Sequence, residues 1–292
     1  MSEQTNIEWC DSTFNPWIGC AKVSPACDDC YAARSTPART MNVVWGAKEQ
    51  RRRTSASNWA LPLRWNATAA QFQAKHGRRQ RVFCASLADV FDNQVPTEWR
   101  DDLWRLIEAT PNLDWLLLTK RIGNAANMLP DSSDFDRLYP HVWLGSTICN
   151  QAEANRDILK LLEVPARVRF LSIEPLLGPV DLMSTAKDCS ETMGLQHIDW
   201  VIAGGESGPR ARPMSPDWIR KLRDQCSAAG VPFLFKQWGE WIPMLGQAEG
   251  LTVRPNKATT EDGWVMGWAG KKASGRLLDG VEHNEFPLGQ GN

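Results

Sequence analysis

The sequence predicts an α/β fold: a partial or closed (β/α) barrel of about six to seven parallel strands, TIM-barrel-like, with a C-terminal extension. Three observations predict it. Short apolar, β-rich runs begin near Val82, Trp115, Val142, Val168, Trp200 and Pro232. Their starts lie 33, 27, 26, 32 and 32 residues apart, the length of a strand plus a crossover helix. The runs are apolar on both faces, as parallel strands covered by helices must be. Strict alternation with helices gives α/β, and right-handed crossovers leave a barrel or an open doubly wound sheet. No GxGxxG follows the first strand, which counts against a dinucleotide-binding sheet.

The elements follow in order. A first strand is predicted near Asn15 to Gly19, ahead of a cysteine cluster. Thr97 to Thr110 places Trp99, Leu103, Leu106 and Ile107 on one helical face, with Thr97 as cap. Asn150 to Glu163 opens with Asn150 and has Glu153 three residues on, a capping-box pattern. Ser215 to Ala229 has Ser215 at the cap, Pro216 at the first helical position and a stripe of Ile219, Leu222, Cys226 and Ala229. Gly230 stops it. Residues 1–240 form the predicted barrel, with a basic insertion at about 31–81. Residues 241–292 form an extension packed on it, Gly-rich and polar from 246 with isolated Trp264 and Trp268, and with some mobile loop.

Composition narrows the function classes. The chain has 292 residues, a net charge of −1 and 23% charged residues, ordinary for a globular protein. No run approaches 18 apolar residues, so no membrane span is expected. The start, Met1 to Asn6, is polar and lacks the apolar core of a secretory signal, so a cytoplasmic location is expected. Fifteen Trp stand against two Tyr, and eight Cys are present. In a reducing compartment disulfides are a poor reading of those Cys, and their spacing points elsewhere.

Cys20, Cys27 and Cys30 form C-x6-C-x2-C, followed directly by Tyr31. A C-x2-C pair makes a tight knuckle, and Pro25 helps the chain to turn. A structural zinc site wants four ligands, usually as two knuckles. Three thiols on one loop instead suit a [4Fe–4S] cluster with one iron open to substrate or cofactor. Zinc completed by Cys10, His197 or His283, and unliganded thiols, stay as alternatives. Cys84, Cys149, Cys189 and Cys226 are scattered. Cys84 on a strand and Cys226 on an apolar stripe read as core.

Charge is uneven. Between Tyr31 and Arg81 lie Arg34, Arg39, Lys48, Arg51, Arg52, Arg53, Arg64, Lys75, Arg78, Arg79 and Arg81, with Glu49 the one acid. That segment is +10 and the remainder −11. Trp45, Trp59 and Trp65 are interleaved. Cations neutralise phosphates and Trp faces stack on bases. Arg51, Arg52, Arg53, Trp59, Arg64 and Trp65 are therefore candidate substrate-binding residues, for nucleic acid or a nucleotide. A solvated face with Trp packed beneath it, and a protein partner, are the competing readings.

Polar side chains follow each strand: Ser86 and Asp89; Thr119, Lys120 and Arg121; Ser146 and Thr147; Ser172 and Glu174; Gly204-Gly205-Glu206-Ser207-Gly208; Lys236 and Gln237. Barrel active sites lie at such strand ends. The glycine turn lets backbone N–H groups approach an anion. Glu174 and Glu206 suit an ammonium or ribose hydroxyls, and Lys120 and Lys236 a carboxylate or phosphate. Lys120, Glu174 and Lys236 are the candidate catalytic residues. Ser86, Asp89, Ser146, Gly204, Gly205 and Glu206 are candidate cofactor contacts. For any one residue, a loop cap or turn former is an equal reading.

Several motifs carry a resemblance. They are Asn15-Pro16-Trp17-Ile18-Gly19-Cys20, the Cys loop with Tyr31, Phe83 to Asp92, Leu117-Leu118-Thr119-Lys120-Arg121, Gly204 to Gly208, Phe235 to Gly239 and Gly275 to Gly280. The chain resembles the bacteriophage and bacterial "three-Cys motif" family of the gene product thirty-seven/sixty-eight type. That family is similar to radical S-adenosylmethionine enzymes, in which three Cys on a βα barrel hold a [4Fe–4S] cluster. There S-adenosylmethionine binds the fourth iron, and its reductive cleavage gives a 5′-deoxyadenosyl radical. The resemblance implies that Cys20, Cys27 and Cys30 are cluster ligands and that Tyr31 replaces the usual aromatic beside the last Cys. It implies both cofactors and an electron donor. The loop is three residues longer than the common C-x3-C-x2-C, and the superfamily's glycine-and-acid motif usually follows an earlier strand than Gly204. The expectation is a radical enzyme acting on nucleic acid or a nucleotide, in repair or modification. Two alternatives remain: a non-catalytic zinc- or cluster-stabilised nucleic-acid-binding phage protein, and a nucleotide-processing barrel using Glu174, Glu206 and Lys236.

Overall fold

A computed structural model describes residues 5–131, 133–183, 195–244 and 256–287. Cys189 and parts of the predicted extension, 245–255 and 288–292, lie outside them. Seven strands form one sheet: β1 (Ser12–Phe14), β2 (Gln80–Cys84), β3 (Leu113–Thr119), β4 (Val142–Thr147), β5 (Val168–Ile173), β6 (Trp200–Gly204) and β7 (Phe233–Gln237). They neighbour one another in chain order, β1 through β7. A doubly wound sheet reverses direction at a switch point. This order never reverses, so right-handed crossovers place the helices on one face and the sheet curls as a barrel does. The order has two ends, so the barrel is partial rather than closed.

The chain forms two compact units. One holds the residues up to Ser146 together with Lys160–Arg169. The other holds Thr147–Leu159 and the described residues from Phe170 to Pro287.

In the first unit, parallel pairing sets Phe14 beside Cys84, Cys84 beside Leu117 and Thr119 beside Ser146. β2 and β4 are buried along their whole length, as a two-sided apolar run requires. The first strand ends earlier than predicted. Pro16 has no N–H for a ladder, and Asn15 turns its side chain to the Leu87 N–H at 2.7 Å. Trp17–Ile18 instead pair antiparallel with Arg52–Arg53. Helix α1 (Thr97–Glu108) begins as predicted, but its cap residue is Pro96, and no side chain caps it. Leu103, Leu106 and Ile107 are buried on its inner face.

In the second unit, Phe170 pairs with Trp200 and Val201 with Phe233. Asn150 accepts the Glu153 N–H at 3.0 Å, opening helix α2 (Gln151–Leu162). Glu153 reaches back to the Cys149 N–H at 2.9 Å. Helix α3 (Pro216–Ala229) has the Ser215 cap, Pro216 at its start and Gly230 in a left-handed stop (φ 68°). The extension is more ordered in β structure than its composition predicts. β8 (Trp241–Pro243), β9 (Lys257–Thr259) and β10 (Val265–Trp268) form an antiparallel sheet centred on β10. Near the C-terminus, His283 O accepts the Phe235 N–H, and Leu234 bridges Asn284. This segment therefore covers the free edge of β7.

Trp115 and Trp200 are fully buried and Trp143 nearly so. Cys84, Cys149 and Cys226 are buried. Burial pushes the Cys84 thiol far up and the Cys226 thiol up to about 12, so both behave as core groups.

Candidate functional site

The rim formed by the C-terminal ends of β1 to β4 gathers the first set of predicted residues. Gly19 enters the Cys loop at φ 112°, a conformation that favours glycine; an added Cβ would press on Val43 and on the Arg51 side chain. Its N–H bonds Leu87 O, and Cys20 O accepts the Gly46 N–H, so the basic insertion holds the start of the loop. Ser24 caps a short turn, Pro25–Cys27. The Cys30 N–H then reaches Cys27 O at 3.4 Å, closing the knuckle. Tyr31 is exposed, and its hydroxyl donates to Ser86 O at 3.0 Å. The Ser86 hydroxyl accepts from Asn15 at 3.0 Å.

Asp89 is buried and fully engaged. It accepts from the Thr119 hydroxyl at 2.7 Å and from the Phe91 and Lys120 N–H groups at 3.0 Å. Arg121 pairs with it at 3.4 Å and approaches Asp92 at 3.9 Å. The same two nitrogens also face the loop: Nη1, which meets Asp89, donates to Cys20 Sγ at 3.2 Å, and Nη2, which approaches Asp92, donates to Ala21 O at 2.9 Å. Burial, with the nearby Asp89 charge, pushes the Cys20 thiol up to about 11, against the pull of Arg121. The Cys20 thiol is therefore protonated at neutral pH, and ligation would release its proton.

The donor set suits a soft, thiolate-bound group: three thiols within eleven residues, one closed knuckle, and a fixed cation on the outlying sulfur. Among the described residues, no three His, Cys, Asp or Glu side chains stand together as a ready metal site. Cys10 precedes β1, at the opposite end of that strand from the loop. The His283 ring packs edge-on to Phe233.

Lys120 is half-buried, and its ammonium makes no ion pair among the described residues. Ser146 is fully buried, and its hydroxyl has no hydrogen-bond partner among the described residues. Such a group in a strand end suits a ligand or water.

The basic insertion turns part of its chemistry inward. Arg51 is buried, bonds Asp92 at 2.7 Å and caps Gly46 O and Glu49 O. Trp65 is buried. Trp59 packs edge-on to Phe14 and carries Arg53 over its face at 4.2 Å, and Arg53 pairs with Asp102 of α1. This is Trp packed beneath a charged face. Arg39, Lys48, Arg52, Arg64 and Lys75 keep exposed side chains.

The second unit holds the other candidates. Lys236 Nζ sits 2.8 Å from both Glu174 oxygens, and Gln237 donates to Glu174 at 3.0 Å and to Ser207 at 2.8 Å. Glu206 is buried and takes the Arg212 fork at 2.6 and 2.8 Å, plus the Arg212 N–H. The glycine turn serves packing. A Cβ on Gly205 would lie 2.0 Å from Trp238 O, because two strand ends cross there. The Gly205 N–H bonds Gln237 O, and the Gly208 N–H bonds the Glu240 carboxylate. A Cβ on Gly204 would lie 3.1 Å from Gln237 O, a tight contact but a milder one.

Sequence reasoning named Arg121 without giving it a role. An arginine directly after a strand's Thr-Lys was the available signal.

A sequentially ordered, parallel α/β sheet with a three-Cys loop after its first strand defines the class of protein. The chain matches, over residues 4–287, a family described as "protein of unknown function (DUF5131)", and it belongs to that family. No curated protein matches it. Among solved structures, it is similar to a spore photoproduct lyase mutant with bound AdoMet and dinucleoside spore photoproduct. Identity is 11% and the TM-score 0.43, over 88% of this chain and 68% of that one. A second is a spore photoproduct lyase complexed with dinucleoside spore photoproduct, at 11% identity and TM-score 0.39, over 87% and 66%. Values this low transfer no residue's role.

Proposed function

We propose that the protein is a radical S-adenosylmethionine-type iron–sulfur enzyme acting on nucleic acid or a nucleotide. The observation that carries this reading is the three-thiol loop at the C-terminal end of β1, with its knuckle and with the Arg121 cation on Cys20. Cys20, Cys27 and Cys30 would hold a [4Fe–4S] cluster. When bound, that cluster supplies the electron for reductive cleavage of S-adenosylmethionine. Around it, Tyr31 is tethered through Ser86, Asp89 holds the end of β3, and the Ser146 hydroxyl, without a partner among the described residues, offers a contact to a bound cofactor. Lys120, whose ammonium makes no ion pair among the described residues, offers a cation on the same rim for a carboxylate or phosphate. Glu174 and Lys236 form a neutral pair that a substrate's charge or polar edge would have to open.

For the substrate, the exposed cations carry the reading, rather than the buried Arg51 and Trp65. Arg52 and Arg64 are the proposed phosphate contacts, and each lost contact lowers the salt slope by about 1. The test of the reaction is anaerobic. Reconstituted protein receives reductant and S-adenosylmethionine, and 5′-deoxyadenosine is measured. Its formation supports the proposal; a loaded cluster that never cleaves the cofactor contradicts it. A salt-dependent titration with single-stranded DNA tests the substrate class, and binding unchanged in an Arg52→Ala, Arg64→Ala variant contradicts the assigned surface.

A further inference from the structure

We propose that Arg121 is a positioning residue for Cys20, fixing that sulfur and raising the electron affinity of the group the three thiols hold. This rests on the cluster reading above. Arg121 grips two successive loop residues at once, the Cys20 sulfur and the Ala21 carbonyl. Behind it stand Asp89 and Asp92, and each is anchored independently. Asp89 is held by Thr119, Phe91 and Lys120, and Asp92 by Arg51 and the Gln94 N–H. The guanidinium is rigid and planar, and the same Nη1 and Nη2 meet both the carboxylates and the loop, so the acids that hold the plane also fix what it presents to Cys20. Asp92 already has Arg51 at 2.7 Å, against 3.9 Å from Arg121, so neutralising that acid does not account for Arg121. Among the described residues, neither Cys27 nor Cys30 has a side-chain cation on its sulfur. The three ligands are therefore unequal, and Cys20 is the one held in place. Hydrogen bonds and positive charge at a cluster's sulfurs raise its reduction potential.

The test compares Arg121→Lys, Arg121→Met and a control, Arg137→Met, which breaks an exposed pair with Asp134. Reduction potentials of the reconstituted proteins are measured by spectroelectrochemistry. Arg121→Met is expected to shift the potential negative, Arg121→Lys to restore it in part, and the control to leave it unchanged. An unshifted potential in both Arg121 variants overturns the proposal. A second arm works on metal-free protein, using urea midpoints in a cycle of Arg121→Lys with Cys20→Ala. The lysine keeps a cation for Asp89, so the fold is expected to survive. A smaller midpoint loss from Arg121→Lys in the Cys20→Ala background supports the contact, and equal losses overturn it. If wild-type protein takes up no iron, the cluster reading fails, and this cycle alone decides the role of Arg121.

Discussion

The rims of the two units carry similar residue types in different states. In the second unit, Glu206 is paired with Arg212 and Glu174 with Lys236, and the Gly205 and Gly208 N–H groups have acceptors. In the first unit, Asp89, Asp92, Arg51 and Arg121 form an equally tight base, yet the chemistry it supports is left open. The Cys20 thiol rests on a cation and, among the described residues, the Ser146 hydroxyl has no partner and Lys120 makes no ion pair. Among the described residues, Thr147 Oγ1 and Gln237 Oε1 of the second unit and Arg51 Nη2 of the first also lack partners, so what sets the first rim apart is its thiol loop held on a cation.

Substitutions can break this contrast. The largest effect is expected from Gly205→Ala in the second unit. Its Cβ would meet backbone rather than a movable side chain, so urea denaturation should show a loss of about 4 kcal/mol or more. Next is Asp92→Ala in the first. It strands a fully buried Arg51, which costs about 3–5 kcal/mol. Glu174→Gln should cost less, about 1–2 kcal/mol, because its partner Lys236 keeps access to water. If Glu174→Gln left stability untouched but abolished turnover, the second rim would join the first as a prepared site.

Acid separates the units more gently. Burial lowers the pKa of His141 below its ordinary 6.5 in the first unit. The unfolded chain therefore takes up a proton that the folded one resists. That stability is present above pH 6.5 and is lost as pH falls below it. In the second unit, Arg220 holds the Asp279 carboxyl below 3.8, so its contribution is lost only as pH falls below that value. Hydrogen exchange at pH 7 and pH 5 should show the first unit losing protection earlier, and His141→Gln should flatten that change.

The sequence made legible what local pattern controls. Six of the seven sheet strands followed from two-sided apolar runs, and α3 from Ser215, Pro216 and Gly230. The Cys loop followed from spacing alone. The fate of Arg51 was hidden because its partner, Asp92, lies 41 residues on, and an arginine reads as surface until its acid is known. Trp65 likewise read as an open face and proved to be core. The start of the sheet was misplaced because Pro16 splits an apolar run that looked continuous. The strands of the extension escaped because they are three or four residues long and half exposed, with no run for periodicity to register.

The central claim is that Cys20, Cys27 and Cys30 hold an iron–sulfur cluster. The most direct measurement is iron, sulfide and zinc analysis of protein purified without oxygen, beside its three single Cys→Ala variants. The expected result is roughly four iron and four sulfide per chain in the parent protein, with a sharp loss in each variant. Stoichiometric zinc with no iron, or iron unchanged by all three substitutions, would contradict it.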